Sequence, residues 1–176
     1  DAQHTALNFS TLFYGMLGLI LLFLTLTRYF HITDKVSFGA VLFIVFCSNF
    51  LYYCTRDSGM SHVFSFSVFS LVQYIICKVG YLKKVNRKDI IGLLVAFGLT
   101  VALRPLNLVF ISLPIIYLLY HFRDSWHFAF KSLDYLAVIL GLFLSLLPVL
   151  LQGLYYKYAY GQWIADSYSN ETFSNI

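Results

Sequence analysis

Long apolar runs, separated by short polar connections, follow one another along the whole chain at about residues 11–30, 37–54, 62–79, 89–103, 106–121 and 133–152. A helix needs roughly 20 apolar residues to cross a hydrocarbon core of ~30 Å. The pattern therefore predicts an all-α, polytopic integral membrane helical bundle of about six transmembrane segments. Short connections predict antiparallel neighbours. The stretch 89–122 decides the count, because one straight helix of that length would run ~51 Å, well beyond the core. Arg104-Pro105 lies near its middle. The residue before a proline is pushed out of the α region, and proline itself suits the first turn of a new helix. The stretch reads as a tight hairpin with Arg104 at the turn. Its arms are short enough to set that turn below the membrane surface, against protein or a wet cavity.

Other boundaries follow from capping chemistry. Asp89 is expected to cap the run beginning at Ile90, and Ser61 the run beginning at His62. Residues 1–152 thus read as a transmembrane helical domain. The remaining segment, 153–176, mixes aromatic and polar residues from Leu154-Tyr155-Tyr156-Lys157 onward, which suits a helix or strand at the interface. The chain begins at Asp1 and stops at Ile176 within a polar stretch, and so reads as a piece of a longer protein.

Charge adds a direction. Arg28 and Lys35 fall in one connection, Lys78, Lys83, Lys84, Arg87 and Lys88 in or beside a second, and Arg123 and Lys131 in a third. Cytoplasmic loops accumulate Lys and Arg, so alternation places these three connections inside and residues 1–10, 55–61, 104–105 and 153–176 outside. With five spans instead of six, the basic connections would no longer share a side. Composition agrees, since the chain is 60% hydrophobic and 11% charged, against about 25% charged for a globular domain. The net charge of +4 then reflects loop topology and anionic lipid, and no nucleic-acid partner is expected. Cys47 and Cys77 read as small core residues, and Cys54 as a thiol near an outer end with no evident partner.

Three cations break the charge pattern on the outer side: Arg56, Arg104 and Lys157. A charge at membrane depth is costly and usually faces protein, water or a ligand, which makes Arg104 a candidate site residue. Arg56-Asp57-Ser58-Gly59-Met60-Ser61-His62 forms a turn with three ionisable groups. It reads either as an interfacial anchor or as an anion site, because a helix N-terminus offers free N–H groups and Arg grips phosphate with two of its own. Arg56 and Arg104 converging on one cavity would suit a lipid-borne phosphate. Lys157, Asp166 and Glu171 lie among aromatic rings, as surface charges or as part of a sugar platform. Asn8-Phe9-Ser10 and Asn170-Glu171-Thr172 match the glycan acceptor pattern. No Gly-rich phosphate loop, HExxH or CxxC is present, and His121 and His127 do not share a helical face. No acidic residue lies mid-span, which argues against an ion-coupled transporter.

Arg56-Asp57-Ser58-Gly59-Met60-Ser61-His62-Val63-Phe64-Ser65-Phe66 resembles an outer loop entering a helix in bacterial membrane glycosyltransferases of the GT-C class, the relatives of protein O-mannosyltransferases and lipid A aminoarabinose transferases. Leu103-Arg104-Pro105-Leu106-Asn107 looks like their Arg-Pro-x-Asn hairpin turn. Tyr155-Tyr156-Lys157-Tyr158 through Glu171 and Phe173 is similar to a segment that follows a later span.

The resemblance implies a transferase that moves a sugar from a polyprenyl-phosphate carrier to an acceptor on the extracytoplasmic face of a bacterial inner (plasma) membrane. It implies Arg56, His62 and Arg104 at the carrier phosphate or cavity wall, and Lys157 and Asp166 near the rim. The family's catalytic acid is expected in an outer loop before the part represented here, so no catalytic base is assigned; Asp57 and Asp166 are the residues available to propose. The implied partners are membrane lipid and the lipid-linked sugar donor, with the acceptor open. No cofactor is expected beyond that donor, and a divalent metal stays open. A transporter or flippase for lipid-linked substrates would also place cations by a lipid cavity. A non-catalytic partner subunit would make them anchors only.

Overall fold

The computed structural model describes residues 2–56, 61–104, 107–121 and 134–163. Among them the chain forms helices and no strand: α1 (Ala2–Arg28), α2 (Asp34–Cys47), α3 (Phe50–Thr55), α4 (His62–Leu82), α5 (Arg87–Leu103), α6 (Leu108–His121) and α7 (Tyr135–Tyr160). Three are long and apolar enough to cross a membrane, over Thr5–Arg28, His62–Leu82 and Tyr135–Tyr160. That is what an integral membrane protein requires. The others are shorter, with 14 residues in α2, 17 in α5 and 14 in α6.

The predicted boundaries move in four places. α1 begins at Ala2, so Asn8 lies inside a helix rather than in a leading segment. The run 37–54 is broken at Ser48-Asn49, where Ser48 adopts extended backbone. Its hydroxyl donates to the Ile44 carbonyl at 2.5 Å and accepts the Phe50 N–H at 3.2 Å. A serine that bonds neighbouring backbone groups competes with the helical ladder, and hydropathy does not register that. At the start of α5 the cap is Asn86, while Asp89 sits one turn in and accepts from the Asn86 N–H and side-chain amide. Ser61 precedes α4 without a side-chain cap bond. Finally, α7 continues through Tyr160, so 153–160 prolongs the last helix instead of starting a new element after 152. Gly161 stops it in the left-handed region at φ 72°, with its N–H on the Lys157 carbonyl, a backbone state glycine adopts at no steric cost.

The helices pack as a row, α2 and α3 against α1, then α4, α5 and α7, with α6 leaning on α4 and touching α5. Lipid is as apolar as leucine, so burial cannot drive helices together within a membrane; close packing and hydrogen bonds must. Small residues supply the close packing. α1 buries Thr11, Gly15, Gly18 and Thr25 toward its neighbours. The Thr11 and Thr25 hydroxyls donate within the helix to the Leu7 and Leu21 carbonyls, so both can be buried without an unpaired donor. On the other flank, a Cβ added to Gly98 of α5 would lie 2.1 Å from the Ser145 carbonyl oxygen of α7. Only glycine admits that approach.

Paired residues give the helix directions. Gly15 and Gly18 meet Val63 and Ser67, so α1 and α4 are parallel. Lys78 meets Asp89, and Val72 and Ile76 meet Ala96, so α5 returns antiparallel. Asn107 meets Ser65 and Tyr117 packs on the Val72–Ile76 cluster, making α6 parallel to α4. Arg87–Asp134, Leu94–Gly141 and Gly98–Ser145 share one sequence offset, so α7 runs parallel to α5. Arg28, Lys35, Lys83, Lys84, Arg87 and Lys88 consequently gather at one end, hereafter the basic end. Arg123 and Lys131 lie outside the described residues. Cys54 and Cys77 are buried, while Cys47 is exposed, because α2 packs along one face only; all three are free thiols.

Candidate functional site

The opposite end holds the candidate residues. Its centre is the first turn of α4. His62 is exposed there, with its ring centroid 4.6 Å from that of Tyr53 on α3. Together with Ile44, Ser48, Asn49, Phe50, Val63 and Phe66 these two line a groove of about 200 Å³. The groove exists because of the Ser48-Asn49 break. A continuous helix would have carried α2 straight past α4, whereas the break turns Phe50 and Tyr53 across its start. Non-helical backbone at membrane depth is tolerated where it lines protein or a cavity. Arg56 is the residue that ends α3, with its N–H on the Tyr52 carbonyl at 2.8 Å and its side chain exposed.

One turn along α4 from His62, Ser65 points to the other side. Its hydroxyl oxygen accepts from the Asn107 side-chain amide at 2.9 Å, and both residues are buried. The Asn107 N–H in turn donates to the Arg104 carbonyl at 2.9 Å, closing the chain reversal between α5 and α6. Arg104 itself has extended backbone and a half-buried side chain. The reversal is thus pinned to α4 by a buried polar contact.

Helix lengths set this centre below the ends of α1 and α7. At the offset shared by α5 and α7, Arg104 is level with Leu151, and α7 runs on for roughly ten residues, a rise of ~15 Å. On the far flank, α1 extends roughly eleven residues, ~16 Å, beyond the level of His62. The helices between end lower than their neighbours. Lys157 stands near the top of α7, exposed, its ammonium 5.4 Å from the Trp163 ring centroid. Arg56, His62 and Arg104 thus share one end of the bundle, but of the three only His62 lines the groove; Arg104 lies by the Ser65 side of α4, and Lys157 stands apart near the end of α7. Asp57, Asp166, Glu171 and Asn170 lie outside the described residues.

Tyr53, Ser65 and Asn107 belong to this end and were not singled out as site residues from sequence. Asn107 stood in the quoted Arg-Pro-x-Asn turn, but neutral side chains carry no charge pattern to betray them. No carboxylate among the described residues pairs with Arg56 or Arg104, because Asp34, Asp89 and Asp134 all lie at the basic end. No group of three or more metal-ligating side chains occurs among the described residues. Chemically, the arrangement offers two guanidinium groups, an imidazole and an apolar groove at one end of a helical bundle. No protein family, curated protein or solved structure matches this chain.

Proposed function

We propose that the chain is the membrane-embedded part of a glycosyltransferase that moves a sugar from a polyprenyl-phosphate carrier to an acceptor at the extracytoplasmic face, in a six-span arrangement. The observation that carries this reading is the level of Arg104, below the ends of α1 and α7 and at the same end as Arg56 and His62. A guanidinium held at such depth is costly in lipid and is retained where it meets water or an anion. A lipid-borne phosphate presents that anion at the right depth. It is also the leaving group in sugar transfer, so positioned cations would stabilise the charge that develops on it. Arg can grip two phosphate oxygens at once, and the groove beside His62 offers an apolar surface next to the charge.

The experiment is transfer from a polyprenyl-phosphate sugar donor by the full-length protein, comparing wild type with Arg104→Leu and Arg104→Lys. Loss of a transition-state donor of this kind costs about 100-fold or more in rate. Arg104→Leu is expected to lose that much at unchanged expression and helicity, with Arg104→Lys retaining part of the rate. Full activity in the Leu variant would overturn the assignment.

A further inference from the structure

The basic end carries a feature that sugar transfer does not use. Asp89 there is taken up by Lys78 at 2.7 Å, and Asp134 by Arg87. Asp34, in the first turn of α2, is the other carboxylate described at this end. Arg28, Lys35, Lys83, Lys84 and Lys88 are all exposed, and no carboxylate among the described residues pairs with them. Lys83 ends α4 in the left-handed region at φ 47° and turns the chain so that Lys84 follows on the connection and Lys88 in the first turn of α5. Immediately before them, at the end of α4, Tyr81 and Leu82 are each 51% exposed. Cations at the tip and apolar side chains on the flank reproduce the order of charge and hydrocarbon in a phospholipid. A nucleic acid would use the cations and leave the flank in contact with water.

We propose that this connection, with the helix ends it joins, is a seat for anionic phospholipid, with the headgroup phosphate against Lys83, Lys84 and Lys88 and an acyl chain against Tyr81 and Leu82. The proposal does not rest on the glycosyltransferase reading. Basic residues beside a membrane favour anionic over neutral lipid, each by a several-fold factor. Purified protein in neutral detergent is mixed with phosphatidylglycerol or phosphatidylcholine, and retained lipid is counted by native mass spectrometry.

The expected result is a preference for phosphatidylglycerol of at least about tenfold, falling to about twofold or less in the combined variant Lys83→Gln, Lys84→Gln, Lys88→Gln. Equal retention of the two lipids by wild type overturns the proposal, and so does a preference that survives the triple substitution. Should the variant lose helicity, a salt titration of wild type decides. Exposed cations are screened, so the preference must collapse at high salt, and a salt-independent preference refutes the seat. Thermal stabilisation by inorganic phosphate or single-stranded RNA equal to that by phosphatidylglycerol would assign the cations to a soluble anion instead.

Discussion

Asp89 joins two helices with one carboxylate. It accepts from the Lys78 ammonium on α4 and from the Asn86 N–H and amide that open α5, and only 6% of its side chain is exposed. Replacement by Ala would leave Lys78 without its partner and the first turn of α5 without its acceptor. Breaking a buried pair costs ~3–5 kcal/mol, but Lys78 is 30% exposed and water would recover part of that. The expected loss for Asp89→Ala is ~1–3 kcal/mol, read as a lower unfolding midpoint in detergent, with Asp89→Asn losing less. An unchanged midpoint would mean that the pair contributes nothing measurable. Sequence named Asp89 as a helix-start residue for its type and position. It did not reveal Lys78 as the partner, because the two meet only after the chain has reversed.

At the scale of elements, the long runs that became α1, α4 and α7 were legible because a uniform apolar stretch has few other solutions in a membrane chain. The reversal between α5 and α6 was legible because the residue before a proline leaves the α region, and α5 does stop at Leu103. The break after Cys47 was not, since Ser48 and Asn49 sit in a run that hydropathy reads as continuous, and their hydrogen bonds depend on geometry. The helical alternative for the segment after 152 holds through Tyr160, but its continuity with α7 is not legible, because Tyr155, Tyr156 and Tyr160 can prolong a helix as readily as end one. Charge drew attention to Arg56, His62 and Arg104 but was silent on the groove, which needs α3 laid across α4.

Packing at this scale is testable at two glycines. Gly98→Ala would drive a methyl into the Ser145 carbonyl and should separate α5 from α7, at ~2 kcal/mol or more. Gly39→Ala meets nothing within 4 Å and should gain ~0.5–1 kcal/mol from helix propensity. Unfolding midpoints of the two variants should move in opposite directions. A stable, tightly packed Gly98→Ala would contradict the contact.

For the whole molecule, the paired directions of α1, α4, α5, α6 and α7 sort the chain into two ends, and the proposed topology assigns those ends to opposite sides of a membrane. Single cysteines placed at Lys84 and at Tyr158, in a background with the native cysteines replaced, test this with a membrane-impermeant thiol reagent. Lys84→Cys is expected to react only from the cytoplasmic side of oriented vesicles, and Tyr158→Cys only from the other. Both reacting from one side would remove α7 as a crossing helix and, with it, the six-span arrangement.

The contact between Gly98 and Ser145 also acts as a gauge. It fixes how far α7 has slid along α5, and that slide sets how far α7 rises past Arg104. One residue of slippage would change that rise by only ~1.5 Å, yet it would first have to lift two backbones out of contact. The height of α7 above Arg104 is therefore set by a backbone contact six residues back along α5, ~9 Å away.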